Sequence, residues 1–189
     1  MQEKPLHPPV WDARIPVDPG ETVGAPVPLS WSLRLPEALD YAGQVFTFRE
    51  NLEVSAERSS EGRSFWVELR LSCRGSAPCS RCLRDTPLEI GGSFRYFYTP
   101  SADEERQAAD DEMTVSYPPE AAEIDLSEQI WESLVVSLPE KILCREECAG
   151  LCPICGADLN NGPCGCPKAA NDPRMQALRD ILPDVSEDS

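Results

Sequence analysis

Residues 79–82 read CSRC and residues 144–166 read CREECAGLCPICGADLNNGPCGC, so eight of the nine cysteines lie in two stretches. Most neighbouring cysteines within these stretches are separated by one to three residues. This spacing lets two thiolates reach one tetrahedral metal ion from a single tight turn. The pattern is too regular for cysteines that serve only as small apolar side chains. It predicts a fold held together by structural Zn²⁺, with about two ions per chain.

The predicted metal ligands are four pairs of cysteines. They are Cys79 and Cys82, Cys144 and Cys148, Cys152 and Cys155, and Cys164 and Cys166. The run Cys152-Pro-Ile-Cys155-Gly156 has the form of a zinc knuckle, in which the glycine lets backbone amides turn toward the sulfurs. The favoured grouping completes this site with Cys164 and Cys166, and it joins the other two pairs in a long-range second site. The alternative grouping places the four cysteines of residues 144–155 on one ion, and the spacing leaves it open.

The charge of the chain restricts its binding partners. Of its 189 residues, 17 are Lys or Arg and 33 are Asp or Glu, which gives a formal net charge of −16. Eight thiolates on two Zn²⁺ ions would bring the charge of the folded protein to about −20. Such a surface repels phosphate backbones and disfavours general nucleic-acid binding. A basic partner protein is the better expectation.

The compartment is predicted from the cysteine usage and from the N-terminal sequence. Residues 1–9 lack the apolar core of a signal peptide, and no apolar run approaches the roughly 18–20 residues of a membrane span. These features predict a cytoplasmic protein with no membrane association. Thiols stay reduced there, which favours metal ligation over disulfides.

The chain divides into four predicted segments. They are a proline-rich N-terminal arm (1–27), a β-rich domain (28–143), a cysteine-rich zinc module with a terminal helix (144–182) and an acidic tail (183–189). Within the β-rich domain we expect an acidic loop over 101–112 and a helix over about 126–138. Trp11 and Ile15 could anchor the arm.

Alternating apolar and polar residues predict several antiparallel strands in the β-rich domain. The predicted strands cover residues 29–35, 65–71 and 88–98, together with one bent strand over 45–54. Gly91-Gly92 suggests a bulge. The predicted fold class is α+β, a small antiparallel β-barrel or sandwich with one or two helices and a C-terminal zinc-ribbon-like module.

Two helices are predicted from their apolar periodicity. The first begins at Asp125, where Glu128 would complete a capping box, and its apolar face includes Ile130 and Leu134. This face is expected to pack on the sheet. The second follows Asp172 and ends before residue 183, where a proline stops it.

The same cysteines and the few basic residues also raise other possible functions. Cys79-x2-Cys82 could be a dithiol site of an oxidoreductase, but that motif belongs at a helix start, and a strand is expected after it here. His7 is the only histidine, so most acid–base mechanisms lack their usual base. We therefore predict no catalytic residue and no enzyme.

Cys73 is expected to be a buried core residue. A basic stretch offers a weaker possibility, contact with RNA, through Arg70, Arg74, Arg81 and Arg84.

Several runs resemble the YceD family of large ribosomal RNA subunit accumulation proteins over about residues 28–182. The most specific run is Gly-Leu-Cys-Pro-x-Cys-Gly-x-x-Leu-Asn at residues 150–160, accompanied by Cys79-Ser-Arg-Cys82-Leu83 and Cys164-Gly-Cys166. The resemblance implies a bacterial factor that supports synthesis, processing or stability of large-subunit (23S) ribosomal RNA. Together with the charge, it leads us to expect binding of a basic ribosomal protein or a pre-ribosomal particle.

Overall fold

The computed structural model describes residues 9–17, 27–61, 63–100 and 113–167. They form nine strands, one α-helix and a short 3₁₀ turn at Leu159–Asn161. The strands are β1 (Arg14–Pro16), β2 (Val27–Leu33), β3 (Ala38–Tyr41), β4 (Gln44–Phe48), β5 (Leu52–Glu61), β6 (Ser64–Pro78), β7 (Asp85–Pro100), β8 (Thr114–Tyr117) and β9 (Glu123–Asp125). The helix is α1 (Ser127–Val136).

The main sheet is built around a long antiparallel hairpin of β6 and β7. Its pairing runs without interruption from Phe65 opposite Tyr98 to Pro78 opposite Asp85. Side chains of β6 alternate between buried and more exposed positions, as expected for a strand with one face on the core. On the other edge of β6, β5 pairs along the first part and β4 pairs near the end. The hairpin therefore organises the sheet and carries its turn, residues 79–84, to one end.

The mostly antiparallel character of the sheet is confirmed, but the structure differs from a barrel. β2, β3 and β8 each pair with a single strand in the described part of the chain, so the described strands form an open sheet. β8 joins β7 in parallel, which the prediction of antiparallel strands missed. α1 is the one α-helix among the described residues, and the predicted helix after Asp172 lies outside them.

The helix and part of the N-terminal arm cover the sheet. Ile130 and Leu134 of α1 are fully buried in the main core, in agreement with the predicted apolar face. β1 pairs with β9, and Ile15 is fully buried between its neighbours. The indole of Trp11 lies 5.9 Å from that of Trp131 in an edge-to-face arrangement. Both anchor residues expected in the arm therefore contact the domain.

Two strand predictions were wrong. The bent strand expected over 45–54 is two strands, because Phe48 pairs with Gly75 whereas Glu53 pairs with Ser72. The bulge expected at Gly91 does not form, since the register with β6 continues through it. A Cβ at Gly91 would lie 2.1 Å from the Leu71 carbonyl oxygen, so the glycine allows close approach of the two strands.

The predicted start of the helix also needs correction. α1 begins at Ser127, and Asp125 is the last residue of β9. The Asp125 carboxylate accepts hydrogen bonds from the Ser127 N–H (2.9 Å) and hydroxyl (2.5 Å). The capping box with Glu128 is absent because Leu126, which has no side-chain acceptor, occupies the N-cap position. None of the described helices has the length and apolarity needed to cross a membrane.

Candidate metal centres

Cys79 and Cys82 lie in the turn of the β6–β7 hairpin. The Cys79 N–H donates to the Arg84 carbonyl (2.8 Å), and the Leu83 N–H donates to the Cys79 carbonyl (2.9 Å). Leu83 adopts a left-handed conformation, with φ of 59°. The Arg81 N–H donates to the Cys79 sulfur at 3.5 Å. This turn is therefore a knuckle that presents two thiols from one end of the sheet.

Cys152 and Cys155 form a second knuckle with the same backbone pattern. The Cys152 N–H donates to the Ala157 carbonyl (2.8 Å), and the Gly156 N–H donates to the Cys152 carbonyl (2.9 Å). Gly156 has φ of 74° and occupies the position that Leu83 has in the first knuckle. Glycine adopts this conformation without steric cost, which agrees with the sequence prediction of a knuckle here.

The sulfurs of Cys79, Cys82, Cys144 and Cys148, the first cysteine cluster, all lie within 4.8 Å of one another. The Cys79 and Cys148 sulfurs are 3.8 Å apart, and those of Cys82 and Cys144 are 3.5 Å apart. Four sulfurs at about 2.3 Å from a tetrahedral Zn²⁺ would be separated by about 3.8 Å. A disulfide would bring two sulfurs to about 2.05 Å. The cluster therefore has the dimensions of a four-thiolate metal site.

The sulfurs of Cys152, Cys155, Cys164 and Cys166, the second cysteine cluster, also lie within 4.8 Å of one another. The two clusters differ in exposure. Three cysteines of the first cluster are buried, whereas Cys155 is exposed and Cys164 and Cys166 are half-buried. The first cluster belongs to the interior of the fold, and the second lies at its surface.

Backbone contacts join the first knuckle to the segment that carries Cys144 and Cys148. The Ser80 N–H donates to the Ile142 carbonyl (2.8 Å), and the Leu151 N–H donates to the Arg81 carbonyl (3.2 Å). The Arg81 guanidinium donates to the Cys148 carbonyl (2.8 Å). The first cluster thus lies where two segments more than sixty residues apart are already hydrogen-bonded.

The electrostatics of the clusters favour a bound cation. Burial disfavours the Cys79 thiolate, but hydrogen bonds from backbone N–H groups, that of Arg81 foremost, outweigh it and lower the pKa of Cys79 to about 6. Burial and the neighbouring thiols raise the pKa of Cys144 to about 12.

In the second cluster, the backbone N–H of Cys155 and then that of Ile154 lower the pKa of Cys152 to about 6. The Cys155 thiol, followed by burial, raises the pKa of Cys166 to about 12. Without a cation, each cluster therefore resists full ionisation, and a bound metal ion would supply the charge that four thiolates require.

The structure brings the eight cysteines together in the grouping favoured from their spacing. The alternative, with the four cysteines of residues 144–155 on one ion, is not the observed arrangement, because the hairpin turn supplies two thiols to the first cluster. Metal ligation itself stays a prediction. Cys73 lies in the main core, where burial and then Glu50 raise its pKa to about 11. His7 lies outside the described residues.

The polar residues around the first cluster were not predicted. Asn160 donates from its side-chain amide to the Cys148 sulfur at 3.5 Å. Asp158 accepts from Asn160 and from Arg84, which is at 3.0 Å. The one hint in the sequence is the Leu-Asn pair that ends the run at residues 150–160.

The four arginines of the expected basic stretch are engaged within the chain. Arg70 pairs with Glu57 and Glu68, both at 2.7 Å, and Arg74 pairs with Glu50 at 3.6 Å. Arg84 pairs with Asp158, and Arg81 donates to a carbonyl of the first cluster's segment. Three of the four arginines are thus paired with carboxylates, and Arg81 is held by a backbone carbonyl.

The setting of Cys79 and Cys82 differs from that of a dithiol oxidoreductase. The pair connects two antiparallel strands, whereas the redox motif lies at the start of a helix that follows a strand. Two further thiols of the first cluster lie beside the pair. The arrangement favours a metal site over a redox dithiol.

Comparison with known proteins places the chain in a family. The family model described as large ribosomal RNA subunit accumulation protein YceD matches residues 67–182. The chain belongs to the YceD family. The match covers the long hairpin, the helix and both cysteine clusters, so it confirms the resemblance that the cysteine-rich runs indicated.

Several curated proteins are similar to this YceD-family chain. A chloroplastic YCED homolog 1 of Arabidopsis thaliana, named as a large ribosomal RNA subunit accumulation protein, is 34% identical over 61 residues, 32% of this chain and 19% of that protein. Uncharacterised proteins of Mycobacterium tuberculosis and Mycobacterium leprae are 29% identical over 134 and 144 residues. These matches cover 70% and 74% of this chain, and 61% and 62% of the two relatives. No solved structure matches the chain.

Proposed function

We propose that this chain is a non-enzymatic bacterial, cytoplasmic factor that supports accumulation of large-subunit (23S) ribosomal RNA. It acts as a zinc-stapled scaffold that binds a basic ribosomal protein or an assembling ribosomal particle. The observation that carries the proposal is the pair of four-cysteine clusters, each with sulfurs within 4.8 Å, in a chain that belongs to the YceD family.

In this proposal the two ions are structural. Four cysteines fill the coordination sphere of Zn²⁺, so neither site keeps an open position for substrate or water. The ion supplies the positive charge that lets four thiolates lie together. The first cluster would fasten the hairpin turn to residues 142–151, and the second would hold residues 152–166 in their loop.

The charge distribution supports a basic partner. Three of the four arginines in the expected basic stretch pair with acids of the chain, while an excess of acids remains in the net charge of −16. Beside the middle of β6, Glu50, Glu53 and Glu89 line a groove of about 550 Å³ together with Arg74. Surface carboxylates steer the association of cationic partners more than they stabilise a fold. We therefore favour a basic protein over direct contact with RNA.

Affinity capture from bacterial lysate at low and high salt, with protein and RNA both identified, tests the partner. The acid variant is Glu53→Gln with Glu89→Gln, and its matched control is Arg70→Gln with Arg74→Gln on the same sheet. A further variant neutralises the acids of residues 101–112. We expect capture of a basic ribosomal protein that the acid variants weaken at least tenfold and the arginine variant leaves within twofold.

The opposite ranking would contradict the basic-partner proposal. If the arginine variant abolished capture, and ribonuclease treatment removed the captured material from the wild-type chain, direct RNA contact would be the better function. Thermal unfolding of each variant, measured in parallel, separates lost binding from lost folding.

A further inference from the structure

Asn160 links the two cysteine clusters. It belongs to the 3₁₀ turn between Cys155 and Cys164, and so to the loop of the second cluster. Its side chain nevertheless contacts the first cluster, because its amide N–H donates to the Cys148 sulfur at 3.5 Å. Its side-chain oxygen accepts from the Ala149 N–H at 2.9 Å and from the Arg145 guanidinium at 2.6 Å. Asn160 therefore belongs to the loop of the second cluster and contacts Cys148, a proposed metal ligand of the first cluster.

Asp158 fixes the orientation of this side chain. One carboxylate oxygen of Asp158 accepts from the backbone N–H of Asn160 (2.9 Å) and from its side-chain amide (2.6 Å). The other accepts from Arg84 in the first knuckle at 3.0 Å. The Leu159 N–H donates to the Gly150 carbonyl (2.9 Å). The loop of the second cluster is thus bonded to both halves of the first, the hairpin turn and residues 145–151.

We propose that Asn160 is a positioning residue that couples metal binding at the two clusters. A metal ion in the second cluster holds residues 156–163 in place, and this presents the Asn160 amide to the Cys148 sulfur. An N–H donor to a ligating sulfur orients it and stabilises its negative charge. An ion in the second cluster thereby raises the metal affinity of the first. Because the coupling between two binding sites is reciprocal, an ion in the first cluster raises the metal affinity of the second by the same factor.

The side-chain chemistry required at residue 160 is specific. The position needs a donor for sulfur and, on the same short side chain, an acceptor for the Ala149 N–H. Asparagine offers both, whereas aspartate would place a carboxylate against a thiolate and alanine would supply neither group. The neighbouring Asn161 is exposed and provides a matched control.

The inference rests on the proposed metal sites and is tested in the full-length zinc-loaded chain by hydrogen exchange. The amides of Ser80 and Leu151, which bond across the first cluster, report its occupancy as chelator lowers free Zn²⁺. We expect Asn160→Asp and Asn160→Ala to lower the Zn²⁺ affinity of the first cluster about 10–100-fold. This is the usual loss when a residue that hydrogen-bonds to a metal ligand is replaced. Asn161→Asp should leave it unchanged.

A double-mutant cycle separates coupling from a local effect. Cys164→Ser, which disrupts the second cluster, should also lower the Zn²⁺ affinity of the first cluster when residue 160 is asparagine. In the Asn160→Ala background it should have little further effect, because the link is already broken. The coupling would be overturned if Cys164→Ser lowered the Zn²⁺ affinity of the first cluster equally in both backgrounds, or if Asn160→Ala had no effect on it. The metal sites themselves would still be supported if the wild-type chain held two zinc ions. A wild-type chain without zinc would instead overturn both. The amides of the β5–β6 pairing, followed in every variant, show whether the sheet remains folded.

Discussion

At the scale of single residues, two knuckles with the same hydrogen bonds place different residues in the left-handed conformation. Gly156 has φ of 74°, and Leu83 has φ of 59°. The glycine made the second knuckle recognisable in the sequence, whereas the first had only its cysteine spacing. Leu83 is also 66% exposed, so its side chain gains little from burial that would offset the strained backbone. Metal ligation by its neighbours would supply that compensation.

The left-handed conformation at Gly156 can be tested with alanine. A Cβ at Gly156 meets no atom within 4 Å, so Gly156→Ala should cost only the strain of a positive φ, about 1 kcal/mol. Gly165 lies in equally open space without a positive φ, and Gly165→Ala is the matched control. Denaturant unfolding at saturating zinc gives both values. Equal values would mean that the conformation at Gly156 carries no strain.

At the scale of elements, the long hairpin was predicted in outline and its partners were not. The β-forming residues of 65–71 and the apolar residues of 88–98 indicated strands, and these stretches lie in β6 and β7. The parallel addition of β8 depends on contacts that no local pattern encodes. The split of residues 45–54 between β4 and β5 is set by which part of β6 each strand meets. Local periodicity thus predicts strands but not their neighbours.

The uninterrupted pairing of the hairpin depends on Gly91. Gly91→Ala would place a Cβ 2.1 Å from the Leu71 carbonyl oxygen, so the backbone must shift, at a cost of about 1–3 kcal/mol or more. Gly92→Ala is the matched control, because its Cβ would meet the ring of Phe94, a side chain, at 3.1 Å. We expect the free energy of unfolding to fall clearly more for Gly91→Ala. A larger loss for Gly92→Ala would contradict the register described here.

The cysteine clusters show the same division between local and long-range information. The favoured grouping of the second cluster used local spacing, because its four cysteines lie within residues 152–166. The first joins the hairpin turn to Cys144 and Cys148, and spacing alone left a second grouping open. The hydrogen bonds of Ser80 and Arg81 with residues 142–151 depend on the folded sheet, and the contact of Asn160 with Cys148 depends on how residues 145–160 fold around the first cluster. No spacing rule could have revealed them.

The long-range site makes a prediction about two distant segments. If Cys79 and Cys82 share an ion with Cys144 and Cys148, Cys79→Ser should speed hydrogen exchange both at residues 79–84 and at residues 142–151. Cys73→Ser, in the buried part of β6 before the turn, should affect the sheet without this paired response. Faster exchange confined to the hairpin turn would show that no ion joins the two segments.

At the scale of the whole molecule, the described residues form an open, mostly antiparallel sheet, and the first cysteine cluster lies at one end of it, at the hairpin turn. The core of the sheet is apolar, whereas residues 144–166 bury few apolar side chains besides the cysteines. Folding of that segment is therefore the part that we expect to depend on metal. Chelator should abolish protection of residues 144–166 at concentrations that leave the β5–β6 pairing intact, as measured by hydrogen exchange. Simultaneous loss of both would mean that metal and sheet form one cooperative unit.

The two proposed zinc sites can be tested by the metal content of the chain and of two variants. Purified under reducing conditions without chelator, the wild-type chain should contain about two Zn²⁺ by elemental analysis and native mass spectrometry. Cys82→Ser should lower the content to about one, and Cys73→Ser, which alters a cysteine outside both clusters, should leave it at about two. A chain without zinc, one with the absorption of an iron–sulfur cluster, or an equal loss for both variants would contradict the account.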